Sequence, residues 1–340
     1  MTEWNEARKP GSDTRYTYAV ARVRALEARL ISAGDMERLL EEETHAEAIR
    51  ALGEFPDYAE IVSAGDMEPE EILEEQLRQT YELICELSLG SKVIRTLRLK
   101  YDFHNLKALL KARSLGVLPE GFSSVGFLSQ EQLIGILDEK TFGGDVDPFA
   151  GKTVLAALGR LGQEVELDKI DTVLDRFYYE VFLSNLSVNP FLEEYARRTI
   201  DLINLRTFWR VQAMGWPEGK LDQTLFPGGR IEPSFFTASF ATPIADLGAK
   251  VPDHAYRRII REALGPYQSR KDLLALDRLT DDFLIELLRR AKHFCFGLEP
   301  LVGYVAAKEN EVMRLRTILY GKEKSFPEES VRELLRTSYA

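Results

Sequence analysis

Asp102-Phe103-His104-Asn105-Leu106-Lys107 returns as Asp201-Leu202-Ile203-Asn204-Leu205-Arg206 and, more divergently, as Glu311-Val312-Met313-Arg314-Leu315-Arg316. Each copy opens on an acid, has an amide or a cation three residues on, and then Leu and a base. A large apolar pair follows at the same offset (Leu109-Leu110, Phe208-Trp209, Ile318-Leu319), and a glycine is expected to close each segment (Gly116, Gly215, Gly321). On a helix, Leu106, Leu109 and Leu110 share one face, as do Leu205, Phe208 and Trp209, and Leu315, Ile318 and Leu319; each set reads as a core stripe. Self-similarity roughly a hundred residues apart predicts three versions of one helical unit.

Working outward, apolar residues recur at intervals of three and four, and runs alternating with period two are scarce, so the fold class is all-α. The 340 residues, 45% of them hydrophobic, suffice for two or three cores of about 100 residues each. Breaks at Leu118-Pro119-Glu120-Gly121, at Gly143 to Pro148 and at Pro227-Gly228-Gly229 mark loops. The first and last divide the chain into helical repeat domains 1–120, with acidic N-terminal helices, 121–225 and 226–340. A second element, Leu174-Asp175-Arg176 and Leu276-Asp277-Arg278, recurs upstream of a copy of the main phrase, so the unit holds at least two helices. The hexapeptide Ser-Ala-Gly-Asp-Met-Glu occurs at 32–37 and at 63–68. It predicts a repeated joint, with Gly34 and Gly65 ending one helix and Asp35 and Asp66 starting the next. Thr44 with Glu47 predicts a capping box, and Pro69 suits a first helical turn.

The repeated polar positions are Asp102 and Asn105, Asp201 and Asn204, Glu311 and Arg314. Arg98 and Arg197 stand four residues before the first two acids. Exposed pairs at that spacing contribute only about 0.2–0.5 kcal/mol each, too little to account for a polar pattern used three times. Two readings stand: the groups join helices within each unit through buried hydrogen bonds, or they face a central space and touch a partner. Arg314 in the amide position requires the third copy to work differently. The segment Phe296 to Tyr304 also has two readings. Pro300 starts the last long helix with Leu298, Leu301 and Tyr304 in its core, or those three residues form an apolar contact edge.

The net charge of −11 is concentrated between residues 35 and 75, where Arg38 and Arg50 are the only Arg or Lys residues. Such a chain repels phosphate backbones, so nucleic acid is not an expected partner and a basic protein surface is. The acidic run reads as a solvated helix face rather than as paired catalytic acids. Cys85 and Cys295, far apart, fit a reducing compartment and read as core thiols. No stretch reaches the 18 or so apolar residues of a membrane span, and Met1 to Ser12 lacks the apolar centre of a signal peptide. His45, His104, His254 and His293 lack metal-ligand spacing, and no nucleophile elbow or dinucleotide turn occurs, so no metal, cofactor or catalytic residue is expected. Gly151-Lys152-Thr153 resembles the end of a phosphate-binding loop, but Val146 occupies the position of its first glycine; an ordinary helix N-terminus is expected.

Tyr101 to Lys107, Asn204-Leu205-Arg206 with Gln212 and Gly215, and Pro227 to Ile231, followed by Phe296 to Tyr304, Lys308 to Glu311 and Arg314 to Lys322, resemble the C subunit of the archaeal and bacterial V/A-type rotary ATPases, whose eukaryotic counterpart is the d subunit. Tyr18 to Arg24 and Glu328 to Tyr339 also fit. The resemblance implies an all-helical funnel of three similar domains around a pseudo-threefold axis. It implies a non-catalytic rotor component of the central stalk, one copy per complex. Such a component seats the central shaft, made of the D and F subunits, on the membrane's proteolipid ring and passes on rotation driven by ATP hydrolysis or ion flow. It would sit peripherally at the cytoplasmic face, without a span of its own. On this reading Leu298, Leu301 and Tyr304 are candidates for ring contact, and the acids from Asp35 to Glu75 attract basic residues of shaft or ring. The rival readings are a free-standing helical scaffold of the same fold and a nucleotide-binding enzyme using Gly151-Lys152-Thr153.

Overall fold

A computed structural model describes residues 9–65, 67–162 and 166–340, and every regular element among them is helical. In chain order these are α1 (Thr17–Glu27), α2 (Ala33–Glu41), α3 (His45–Leu52), α4 (Ala59–Ser63), α5 (Pro69–Leu87), α6 (Lys92–Leu115), α7 (Gln130–Glu139), α8 (Pro148–Leu161) and α9 (Ile170–Leu186). They continue as α10 (Pro190–Ala213), α11 (Glu218–Thr224), α12 (Pro233–Ala238), α13 (Ile244–Lys250), α14 (His254–Arg270), α15 (Leu274–Arg289), α16 (Glu299–Glu323) and α17 (Glu328–Leu334). The three copies of the repeated phrase lie in α6, α10 and α16, of 24, 24 and 25 residues.

The chain forms two compact units, one comprising residues up to Leu73 together with Val188–Ala340, the other Glu74–Ser187. In the second unit α6 packs along α9, and α8 packs on both. Phe103, Leu106, Val154 and Leu174 are buried there. In the first unit α10 packs against α11, α12 and α15 around Trp209, Phe208 and Phe236, and α16 packs against α1, α2, α3, α15 and α17. The apolar stripe of the phrase is buried in all three copies, as its helical spacing requires. The loops at Leu118–Gly121 and Pro227–Gly229, read from sequence as joints, each lie inside a unit, and the N-terminal helices belong with Val188–Ala340.

All three phrase helices end the same way, fourteen residues after the acid. Gly116 and Gly215 take φ of 68° and 66°, and Ser325 takes 55°. The next N–H then turns back into the helix: Val117 to Ala112 O at 3.0 Å, Trp216 to Val211 O at 3.0 Å and Phe326 to Gly321 O at 2.8 Å. This is the six-to-one closure of a left-handed cap. Gly321, expected to close the third helix, is instead inside α16, where a Cβ would collide with Val331 of α17. The residue after each cap is an exposed hydrophobe: Val117, Trp216 and Phe326.

The duplicated hexapeptide adopts two conformations. At its first occurrence Ser32 is the cap of α2, its Oγ accepting from Asp35 N at 3.1 Å, so Gly34 and Asp35 lie within the first turn and Met36 is buried. At the second, Ser63 ends α4, Gly65 takes φ of 79° and Met67 is exposed. Asp66 lies outside the described residues. The expected common joint is therefore absent from the first site, because a serine can cap and a glycine can stop, and the preceding residues decide which signal is used. The Thr44–Glu47 capping box forms, and Pro69 opens α5. Gly151-Lys152-Thr153 lies inside α8, whose N-terminal N–H groups at Phe149 and Ala150 are already bonded to the Asp147 carboxylate. Cys85 is partly buried, and Cys295 is exposed because it lies on the turn before α16 rather than on a packed helix.

Ser325 carries the left-handed strain that glycine avoids at the two equivalent caps. Ser325→Gly is expected to raise unfolding stability by about 0.5–1 kcal/mol, and Gly116→Ala to lower it by about 1 kcal/mol. Urea denaturation of the two variants checks the pair of signs.

Candidate functional site

Beside its leucine the phrase repeats polar side chains, and in α6 Asp102 and Asn105 are fully buried. Asn105 donates through Nδ2 to Ser123 O at 2.8 Å and accepts from Ser123 N at 2.8 Å, satisfying both backbone groups of one residue. Asp102 Oδ1 accepts from Leu128 N at 2.8 Å. Arg98, one turn earlier, donates from Nε to Val125 O at 2.7 Å and from a terminal nitrogen to Gly126 O at 3.0 Å. The loop 123–128 thus lies along α6, hydrogen-bonded to three of its side chains, and passes so close at Gly126 that a Cβ would stand 2.7 Å from Asp102 Oδ1. Ser129 then caps α7.

The second copy repeats this set with the same spacing within the helix and within the loop. Asn204 donates to Phe226 O and accepts from Phe226 N, each at 2.8 Å, and Asp201 Oδ1 accepts from Ile231 N at 2.9 Å. Arg197 donates to Gly228 O at 3.0 Å, and Gly229 passes Asp201 more closely still. The glycines read as a joint are there because the loop is pressed against a carboxylate. Tyr256 of α14 adds a hydroxyl donated to Asp201 Oδ2 at 3.0 Å.

In the third copy the loop comes from the other end of the chain. Glu311 Oε2 accepts from Ile31 N at 2.7 Å, and Ile31 directly precedes the cap of α2, as Leu128 and Ile231 precede those of α7 and α12. Tyr58 donates to Glu311 Oε1 at 2.9 Å, as Tyr256 does to Asp201. The differences compensate one another. Glutamate reaches one methylene further than aspartate, so the loop needs no glycine, and Arg29 stands where Gly126 and Gly229 stand. The residue an asparagine would hold is Leu26, inside α1, where helical bonding already engages its backbone groups. Arg314 replaces that amide; it is buried, and its Nε has no hydrogen-bond partner among the described residues. Burial lowers its pKa against the pull of Glu311 and Asp282. Lys308, fully buried, bonds Asp57 at 2.6 Å and Glu311 at 2.8 Å, with Arg29 on the other Asp57 oxygen at 2.5 Å.

The base that ends each phrase binds a neighbouring helix. Lys107 meets Asp175 of α9 at 2.8 Å, Arg206 meets Asp281 of α15 at 2.5 Å and Asp277 at 3.7 Å, and Arg316 meets Glu70 of α5 at 2.5 Å. The recurring Leu-Asp-Arg element supplies Asp175 and Asp277 for these pairs, with Leu174 and Leu276 in the core. Leu298, Leu301 and Tyr304 are 9%, 0% and 2% exposed. Pro300 lies in the first turn of α16 and these residues are packed into the first unit, so none of the three presents its side chain at a surface. Sequence reasoning missed the exposed hydrophobes after the helix caps, Val117 and Leu118, Trp216, and Phe326. Gly-Val and Gly-Trp at equal offsets were the available signal.

Burial raises Asp102 to about 7 and Asp201 to about 6, and the backbone N–H groups that each accepts oppose the rise. An acid whose folded pKa lies above its unfolded value binds more protons when folded, so its contribution to stability falls as pH rises from about 4 to the folded value. Asp102→Asn keeps an acceptor for Leu128 N–H. It is expected to lose less stability than the natural protein between about pH 5 and pH 8, read from urea midpoints. Lys308→Met leaves buried Glu311 without its cation and Asp57 with Arg29 alone, and is expected to cost about 3–5 kcal/mol in the same assay.

Known proteins match most of this chain. The ATP synthase (C/AC39) subunit family matches residues 19–334. The A-type ATP synthase C subunit of Methanothermobacter thermautotrophicus is 27% identical over 342 residues, covering 94% of this chain and 87% of that protein. The counterpart from Methanocaldococcus jannaschii is 25% identical over 343 residues, with 94% and 86% covered, and that from Desulfurococcus sp. is 27% identical over 346, with 94% and 90%. With all three phrase helices inside the matched span, the protein belongs to the ATP synthase (C/AC39) subunit family.

Proposed function

We propose that the chain is a non-catalytic rotor component of a V/A-type ATPase, acting as the socket between the central shaft, formed by the D and F subunits, and the proteolipid ring. The family match over residues 19–334 carries this reading. Two features of the structure support it. A part that transmits torque must resist deformation, and each repeat locks its loop onto its long helix through buried hydrogen bonds inside a close-packed core. A joint between proteins also needs apolar surface, and Val117 with Leu118, Met214 with Trp216, and Phe326 offer exposed side chains at equivalent places in the three repeats. Among the described residues no helix is long and apolar enough to cross a membrane, which fits contact with the ring from outside it. The acidic segment adds a weaker field than its formal charge implies, since Glu37, Glu54 and Glu70 are already paired with Arg332, Arg38 and Arg316.

Native mass spectrometry of the chain mixed with the D and F subunits of the same organism tests the reading. A one-to-one-to-one complex is expected, weakened by Trp216→Asp and by Leu118→Asp in chains that keep their helical spectrum. Absence of a complex at every salt concentration removes the shaft from the list of partners.

A further inference from the structure

The third repeat differs from the other two in what covers its long helix. Nine residues after the acid, Lys111 bonds Asp171 of α9 at 2.7 Å and Arg210 bonds Asp277 of α15 at 2.5 Å, so in both repeats a complete helix is fastened across this face. In α16 the ninth residue is Tyr320, 54% exposed, and from α5 the first unit contains only the initial segment that brings Glu70 to Arg316. A groove of about 530 Å³ lies here, with Leu73, Met313, Tyr320 and Phe326 among its apolar lining. Tyr320 and Phe326 meet edge to face with ring centroids 6.1 Å apart, both exposed, and Met313 is 38% exposed beside them. Glu68, Glu70 and Glu323 stand around it with His45 and Arg316. Arg316 is paired with Glu70, and Lys324 with Glu323 at 2.6 Å, which among the described residues leaves Glu68 as the acid without an ion pair on the groove's rim.

We propose that this groove is the seat of an amphipathic helix from a partner protein, one carrying lysine or arginine beside its apolar stripe. The occupant is a helix because the same face of the same unit takes a helix in the two other repeats. Its apolar stripe meets the Tyr320 ring where the other seats offer a second cation, with the Met313 thioether beside it. Its flanks are basic because the acids around the groove outnumber the bases, so an acidic helix of equal shape is rejected. The cavity is of a size that receives several side chains in the manner of helix-in-groove recognition. The proposal concerns this face alone and stands whether or not the chain is a rotor socket.

The test uses the full chain and a fluorescent synthetic peptide of about four helical turns, with leucines at helical spacing and lysines elsewhere. A second peptide carries glutamate in place of every lysine. Anisotropy is expected to show the lysine peptide binding at least about tenfold more tightly, with the difference shrinking between about 0.05 and 0.3 M salt. Met313→Gln and Tyr320→Asn, both at exposed positions and both neutral, are each expected to weaken it by about tenfold. Leu118→Gln, an exposed hydrophobe in the other unit, is expected to leave it unchanged. Equal binding of the two peptides, no binding of the lysine peptide, or an affinity that is indifferent to Met313→Gln and Tyr320→Asn would overturn the proposal.

Discussion

A buried carboxylate that accepts the backbone N–H of the last loop residue before a helix cap is the contact on which each repeat depends. It fixes where the next helix begins and closes the loop against the long helix, and it does so in a place where an unmet N–H would be costly. In the first two repeats the amide holds the same loop at its far end and the arginine one turn before the phrase holds it at the middle, while the base that ends the phrase ties the long helix to a neighbouring helix. Exposed ion pairs along the same helices contribute far less. The repeated phrase is therefore a record of how a long helix and the loop packed along it are joined.

The third repeat shows the constraint by meeting it with other residues. Lengthening the acid by one methylene removes the need for a glycine, and moving the loop into α1 removes the need for an amide. What stays constant is the N–H donor ahead of a cap and, in two repeats, the tyrosine hydroxyl on the same carboxylate. The cost is a cluster of buried charge, Lys308 with Asp57 and Glu311, that the simpler repeats do without.

The all-helical class and the three phrase helices were legible because the phrase carries its own helical period and a core stripe. The Thr44 box was legible because capping chemistry is local. The partners of Asp102, Asn105 and their counterparts were not, since a side chain's spacing on its helix does not say which loop returns to it. Gly321 misled for a related reason: a glycine near a helix end can mark a cap or the close approach of another helix, and Val331 decides it. The hexapeptide shows the limit most plainly, because six identical residues start a helix at Ser32 and end one at Ser63. Leu298, Leu301 and Tyr304 were ambiguous for want of the same long-range information; an apolar run beside a proline describes a buried helix start and a surface edge equally well.

The bond between Ile31 and Glu311 spans 280 positions of the chain. During synthesis, at about 5–20 residues per second, the N-terminal helices wait on the order of tens of seconds for the helix that completes their core. Over that interval α2 and α3 lack α16, against which they pack, whereas every residue of the second unit has been made by position 187. A nascent chain of this design exposes apolar surface at its beginning until its end emerges, which makes the acidic stretch from Asp35 to Glu75 a solubilising segment in the very region that must stay unfolded longest.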